Sequence, residues 1–144
     1  MTGYWRDEEK TSHVLTKDGW LRTNDMGWMD EDGYIYLAGR ADDMIIRGGE
    51  NISPDEVEEV LRSHAGVEDA AVIGVPDAEW GQEPRAVVVL KKNQVATPEE
   101  IIEYCRTRLS GFKRPRSVIF VDSLPRNTMG KVLRKWLRDE YGQP

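Results

Sequence analysis

Two short apolar runs occupy the middle of the chain, "EDAAVIGV" (residues 68–75) and "PRAVVVLKK" (residues 84–92). Both are too short for core helices and rich in β-branched residues, so they read as buried strands, joined by the loop "PDAEWGQE". The period changes on either side. In "PDEVEEVLRSH" (residues 54–64) the apolar positions Val57, Val60 and Leu61 fall at i, i+3 and i+4, one face of a helix. Ser53 suits its N-cap, Pro54 the first helical position, and Asp55 and Glu56 the positive end of the helix dipole. Glu56 also completes a Ser-x-x-Glu capping box. "TPEEIIEYCRTRL" (residues 97–109) repeats this logic with Thr97 and Pro98 and predicts a second amphipathic helix. A third strand, "SVIFV" (residues 117–121), leads through "DSLPRNTMG" to a basic C-terminal helix.

Upstream the pattern is different. "KDGW" and "DEDGY" are acidic-glycine turns, and Tyr34–Leu37 is a strand-like run. The first forty residues therefore predict a hairpin-rich β piece with too few long apolar stretches to fold alone. "DMIIRGGENIS" (residues 43–53) then reads as a short strand, a Gly-Gly turn and a helix start. Strands and helices alternate from there to the C-terminus, which predicts an α+β domain with helices against a small sheet. There are no internal repeats or low-complexity segments.

A chain of 144 residues with 39% hydrophobic and 32% charged content suits one soluble globular domain, or a small domain carrying an extra piece. No apolar run approaches the roughly 20 residues needed to span a bilayer, and "MTGYWRDEEK" does not read as a signal peptide. The single Cys105 precludes an internal disulfide and fits a reducing cytoplasm. With only His13 and His64 beside it, no zinc site is expected.

Charge changes the picture more. The net charge is −6, yet it is unevenly spread: residues 1–60 hold fifteen acids and six bases, whereas residues 101–138 hold ten bases and two acids. "PRNTMGKVLRKWLR" (residues 125–138) gathers five cations with no acid among them. Such asymmetry points to an anionic partner. Lys131, following Gly130, either reaches for a phosphate or is an ordinary first-turn lysine in water. The segment is no Walker phosphate loop, because Pro125 and Val132 stand where that motif needs Gly and Ser or Thr. In "SGFKRPR", Phe112 lies among Lys113, Arg114 and Arg116, a combination that stacks a base and pairs phosphates, or else forms a solvated charged turn. The acidic chain as a whole disfavours long polyanions such as nucleic acid. "RGGEN" is either a tight hairpin turn or a place where a thin ligand crosses the backbone. Arg40 and Asp42, at the change of pattern, form a surface ion pair or mark a pivot.

The order of these segments is more specific than any of them singly. "GWLRTNDMG", "GRADDMIIRGGENISPDEVE" and "PRNTMGKVLR", at these separations, resemble the last motifs of the adenylate-forming (ANL) superfamily, and within it the acyl- and aryl-CoA synthetases. The resemblance runs from about Gly3 to Arg138. It implies the C-terminal portion of a larger enzyme: residues 1–39 ending a large N-terminal domain, residues 40–43 a hinge, and residues 44–144 a mobile α+β lid. The missing N-terminal domain would be its partner, with no nucleic acid and no transmembrane segment.

Roles follow from the resemblance residue by residue. Asp25 matches the aspartate that binds the ATP ribose hydroxyls, Arg40 the arginine that assists it, and Asp42 the hinge. Gly48 and Gly49 match glycines lining the pantetheine tunnel. Trp80, Phe112, Arg114 and Arg116 resemble positions that contact CoA in some CoA ligases. Lys131 matches the lysine bridging the carboxylate and the α-phosphate during adenylation. ATP with Mg²⁺ and CoA are implied as substrates, with no resident metal, and the fragment alone is expected to be inactive. One departure is Asn24, which replaces the usual glycine of "RTGD"; Asn tolerates left-handed backbone, so the loop geometry is expected to survive. Two other readings keep a place: an adenylating enzyme that passes its acyl group to a carrier-protein phosphopantetheine, and a non-enzymatic anion-binding module.

Overall fold

The computed structural model describes residues 1–143. The chain divides into two compact units, Met1–Asp42 and a second from Asp43 onward.

The first unit contains helix α1 (Glu8–Val14) and an antiparallel hairpin of β1 (Asp25–Met29) and β2 (Ile35–Arg40). The hydrophobic pattern predicts no helix at α1, because none of its residues is buried and it leaves no apolar stripe to read. Its start is set instead by Asp7, whose carboxylate accepts the Lys10 N–H at 2.9 Å. The hairpin turn is held by Asp30, which accepts from the Tyr34 N–H at 2.9 Å and the Tyr36 hydroxyl at 2.9 Å. Trp28 and Tyr36 stack across the strands with centroids 4.1 Å apart. No residue of this unit is buried, and Trp28, Tyr34, Ile35 and Leu37 are exposed.

The second unit is an α+β domain. Strands β3 (Ile45–Arg47) and β4 (Glu50–Ile52) form a hairpin, helix α2 (Pro54–Arg62) follows, and β5 (Val67–Asp77) pairs antiparallel with β6 (Gly81–Leu90). After helix α3 (Pro98–Arg106), β7 (Ser117–Phe120) joins β6 in parallel, and helix α4 (Arg134–Tyr141) closes the chain. β5 takes one edge of β6, while β3 and β7 share the other. The middle of β5 (residues 70–73) and the second half of β6 (residues 86–90) are apolar because both faces are covered there. Ala70, Val72, Ala86 and Val88 pack with Val57 and Leu61 of α2 and Ile101 and Cys105 of α3. Ala71, Ile73, Val87 and Val89 pack with Leu137 of α4. No helix is long and apolar enough to cross a membrane among the described residues.

The structure departs from the sequence pattern at two places. Between the Gly-Gly turn and α2 lies a strand, β4, where the pattern predicts a helix start directly after the turn. The Ser53–Glu56 capping box does not form: Ser53 makes no side-chain cap bond. Glu56 is taken by Lys113, whose Nζ lies 2.7 Å from both carboxylate oxygens. At α3 the same sequence logic does give a complete box between Thr97 and Glu100, where no outside cation competes.

Glu58 is the buried acid of this fold. Its Oε1 accepts the Val72 N–H at 2.9 Å and Arg134 Nη2 at 2.8 Å, joining α2, β5 and α4. Burial pushes its carboxyl above the ordinary 4.5, with Arg134 pulling the other way. An acid whose value is raised on folding holds its proton more tightly in the native state, so its contribution to stability falls as pH rises from the ordinary value through the raised one. Glu58→Ala strips Arg134 and the Val72 amide of a partner together. Arg134 keeps Asp55 and Asp43, so the expected loss is about 1–3 kcal/mol, mainly from the unsatisfied Val72 N–H, read as a lower urea midpoint at unchanged slope.

Candidate functional site

Lys131 sits on a braced loop. Arg126 and Val132 form an antiparallel bridge, and the Leu133 N–H donates to the Pro125 carbonyl at 2.9 Å. Inside it, Asn127 Oδ1 accepts the N–H groups of Met129 at 3.0 Å and Lys131 at 2.9 Å. Gly130 turns the chain with φ of 79°. α4 begins at Arg134, so Lys131 precedes the helix and is not a first-turn residue.

The five cations of this segment separate into two kinds. Arg126 pairs with Asp69 of β5. Arg134 pairs with Glu58 at 2.8 Å, Asp55 at 2.7 Å and Asp43 at 3.6 Å, and Arg138 with Asp43 at 3.1 Å. Arg62 links the two groups, reaching Glu58 at 3.4 Å and Asp69 at 3.9 Å. Of the five, Lys131 and Lys135 have no acidic partner among the described residues. The acids missing from the segment itself are supplied by β5, by α2 and by Asp43. Sequence reasoning passes over them, since nothing local marks them as partners. Of the two uncompensated lysines, Lys131 is the one on the hydrogen-bonded loop, exposed and suited to an anion.

Gly48 and Gly49 form the two-residue turn of the β3–β4 hairpin, with φ of 58° and 85°. Trp80 lies over Gly48, whose N–H donates to the Trp80 carbonyl at 2.9 Å; a Cβ there would meet Trp80 Cε3 at 2.7 Å. Nothing lies within 4 Å of a Cβ built on Gly49, so that glycine faces open space. Trp80 is itself positioned by Asp77, whose Oδ1 accepts its N–H at 2.7 Å. Arg47, a buried residue that the sequence reading does not single out, places its guanidinium 4.9 Å from the Trp80 ring.

Phe112, Arg114 and Arg116 lie on another loop, between α3 and β7. Phe112 packs partly against the core, and the cation nearest its ring is Lys113 at 5.8 Å, not a guanidinium. Arg114 Nε donates to the Leu109 carbonyl at 3.3 Å, and Arg116 is exposed. No hydrogen bond or ion pair joins any of the three to Trp80 among the described residues.

In the first unit, Asp25 and Arg40 are register partners at the end of the β1–β2 hairpin, and Arg40 Nη1 lies 3.2 Å from Asp25 Oδ1. Both are half-exposed, so the pair adds little stability. Arg40 also donates to the Thr23 carbonyl at 3.3 Å, which fixes the loop before Asp25. Asn24 takes a left-handed backbone with φ of 66°, and its side-chain amide donates to the Asp42 carboxylate. Its carbonyl accepts the Ala41 N–H at 2.9 Å. The structure thus gathers Asp25, Arg40 and Asp42 within this unit.

Comparison with known proteins gives these features a family. The family model for the AMP-binding enzyme C-terminal domain matches residues 56–131, just over half of the chain. The chain is 46% identical over 138 residues to the long-chain-fatty-acid–CoA ligase FadD13 of Mycobacterium tuberculosis, covering 96% of this chain and 27% of that protein. It is 43% identical over 141 residues to the fatty acid–[acyl-carrier-protein] ligase ScoC of Streptomyces coeruleorubidus, covering 98% and 27%. The ATP-bound crystal structure of MatB from Rhodopseudomonas palustris superposes with a TM-score of 0.89 at 44% identity, covering 97% of this chain and 28% of that one. The chain thus spans about a quarter of the length of the relatives it matches. A family match over more than half its length, ending on the braced lysine, means that this chain belongs to the AMP-binding enzyme C-terminal domains.

Proposed function

We propose that this chain is the C-terminal part of an ATP-dependent, AMP-forming carboxylic acid–CoA ligase of the adenylate-forming superfamily, acting in the cytoplasm. The observation that carries the reading is the isolation of Lys131: three arginines around it are neutralised by acids from elsewhere in the fold, and it is not.

In the first half-reaction a carboxylate oxygen attacks the α-phosphorus of Mg²⁺-bound ATP, and the bond to the β-phosphate breaks to release pyrophosphate. Both reactants are anions, and Lys131 offsets their repulsion and the charge of the pentavalent transition state. A compact ammonium on a long stem suits this role. Asp25 accepts the ribose hydroxyls, with Arg40 holding its carboxylate. In the second half-reaction a thiolate attacks the acyl carbonyl and AMP leaves. Asp42 is the pivot between the two arrangements, which brings Gly48 and Gly49 to the pantetheine arm and withdraws Lys131. Trp80, Phe112, Arg114 and Arg116 contact the rest of CoA.

A second reading keeps adenylation and changes the acceptor to a carrier-protein phosphopantetheine; the identity to ScoC favours it. The polypeptide carrying this chain, given ATP, Mg²⁺ and a panel of carboxylic acids, separates the two. AMP with acyl-CoA on adding CoA supports the first reading, and thioester only on adding holo-carrier protein supports the second. Failure to form any acyl-adenylate refutes both. Salt-sensitive binding to RNA in that case identifies an anion-binding module instead.

A further inference from the structure

Asp43 begins the second unit, immediately after Asp42. It lies in a single 3₁₀ turn, Ala41–Asp43, outside the sheet, which β3 enters only at Ile45. Its carboxylate nevertheless has two cationic partners, and both are on α4: Arg138 Nη1, hydrogen-bonded at 3.1 Å from Oδ1, and Arg134 Nη1, an ion-pair contact at 3.6 Å from Oδ2. Asp43 and Arg134 are largely enclosed, at 18% and 19% exposure, and Arg138 is at 34%, so water and salt screen the Asp43–Arg134 pair less than the Asp43–Arg138 pair. Arg134 is anchored in turn by Asp55 and Glu58 of α2. α4 starts three residues after Lys131, and the Leu133 amide holds the base of the Lys131 loop closed.

We infer that Asp43, with Arg134 and Arg138, is a strut that carries rotation at the Asp42 pivot directly to the Lys131 loop, making the three of them positioning residues for adenylation. The inference rests on the roles proposed above for Asp42 and Lys131. Without the strut, the first residue beyond the pivot reaches Lys131 only through the whole α+β domain, and the segment 43–44 is a soft joint. With it, the joint and the lysine helix move as one body. The strut matters most where Lys131 must be placed within a fraction of an ångström. It matters least for thiol transfer, where the lysine is withdrawn and the β3–β4 turn is joined to Asp43 through Met44 and β3 without passing through α4.

The test is Asp43→Ala in the full-length polypeptide. This variant leaves Arg134 with Glu58 and Asp55, so folding is preserved. The expected result is adenylation slowed roughly 10- to 100-fold in kcat, with KM for ATP nearly unchanged. Thioester formation from supplied acyl-adenylate stays within about threefold of the parent. Hydrogen exchange at residues 126–133 speeds up while the β5–β6 amides keep their protection. Arg138→Gln, which removes one of the two Asp43 partners, shows the same split with a smaller loss. Parent-like adenylation in Asp43→Ala overturns the strut, as does an equal loss in both half-reactions. A parent polypeptide that forms no acyl-adenylate at all overturns the functional reading instead, and Lys131→Ala separates the cases: loss of adenylation there beside a parent-like Asp43→Ala refutes the strut alone.

Discussion

Lys131→Ala in the full-length polypeptide is expected to lower acyl-adenylate formation by about 10²- to 10³-fold or more, while thioester formation from supplied acyl-adenylate stays within about threefold. The size follows from what surrounds the residue. Arg126, Arg134 and Arg138 are committed to Asp69, Glu58, Asp55 and Asp43, so none is free to take over as the cation at the point of attack. Lys135 is the other uncompensated cation, but it is a residue of α4 and outside the braced loop. Stability should hardly change, because Lys131 is exposed and its loop is closed by backbone and Asn127 contacts that alanine keeps. Lys131→Arg is expected to recover only a small part of the rate, since a planar fork does not replace a point charge between two oxygens. Pyrophosphate exchange into ATP measures the first half-reaction, and thiol consumption with synthetic adenylate measures the second. Equal loss in both would remove Lys131 from adenylation and leave it a general phosphate contact.

How much of this was legible beforehand depended on the distance between cause and effect along the chain. β5 and β6 are readable because each is buried on both faces, so the sequence has no polar alternation to blur them. α3 is readable because its cap partners, Thr97 and Glu100, are local and uncontested. α2 shows the limit. The same cap logic applies to Ser53 and Glu56, but a lysine 57 positions away claims the glutamate. α1 leaves no signal because it buries nothing. At the candidate site, the motif around Lys131 and the Gly-Gly turn can be read as strings of residues. The neutralisation of its arginines cannot, because it joins positions separated by 57 to 95 residues. An acid-free cationic segment therefore reads in sequence as five equivalent cations, and only folding leaves Lys131 as the uncompensated one on the braced loop.

The complementary prediction concerns Gly49, and it is expected to split the half-reactions the other way. Gly49→Leu should lower thioester formation by about 10²-fold or more and leave adenylation within about threefold. The two glycines of the turn are not equivalent sites for this test. A side chain at Gly48 must displace Trp80, so its effects would mix packing with ligand access. Gly49 has no neighbour within 4 Å of a Cβ, so a side chain there occupies only the space in front of the turn. Its φ of 85° costs any L-residue about 1–2 kcal/mol of backbone strain. Gly49→Ala carries the same backbone cost with little bulk, and is therefore the control. If the pantetheine arm passes over this turn, leucine blocks thiol transfer far more than alanine does, although their thermal midpoints fall together. If alanine and leucine reduce thiol transfer equally, strain in the hairpin explains the loss, and the space before Gly49 is no tunnel. Trp80→Ala then isolates the remaining contribution: with Gly48 uncovered and Gly49 intact, a rise in KM for CoA at unchanged adenylation places the indole on the acceptor's path.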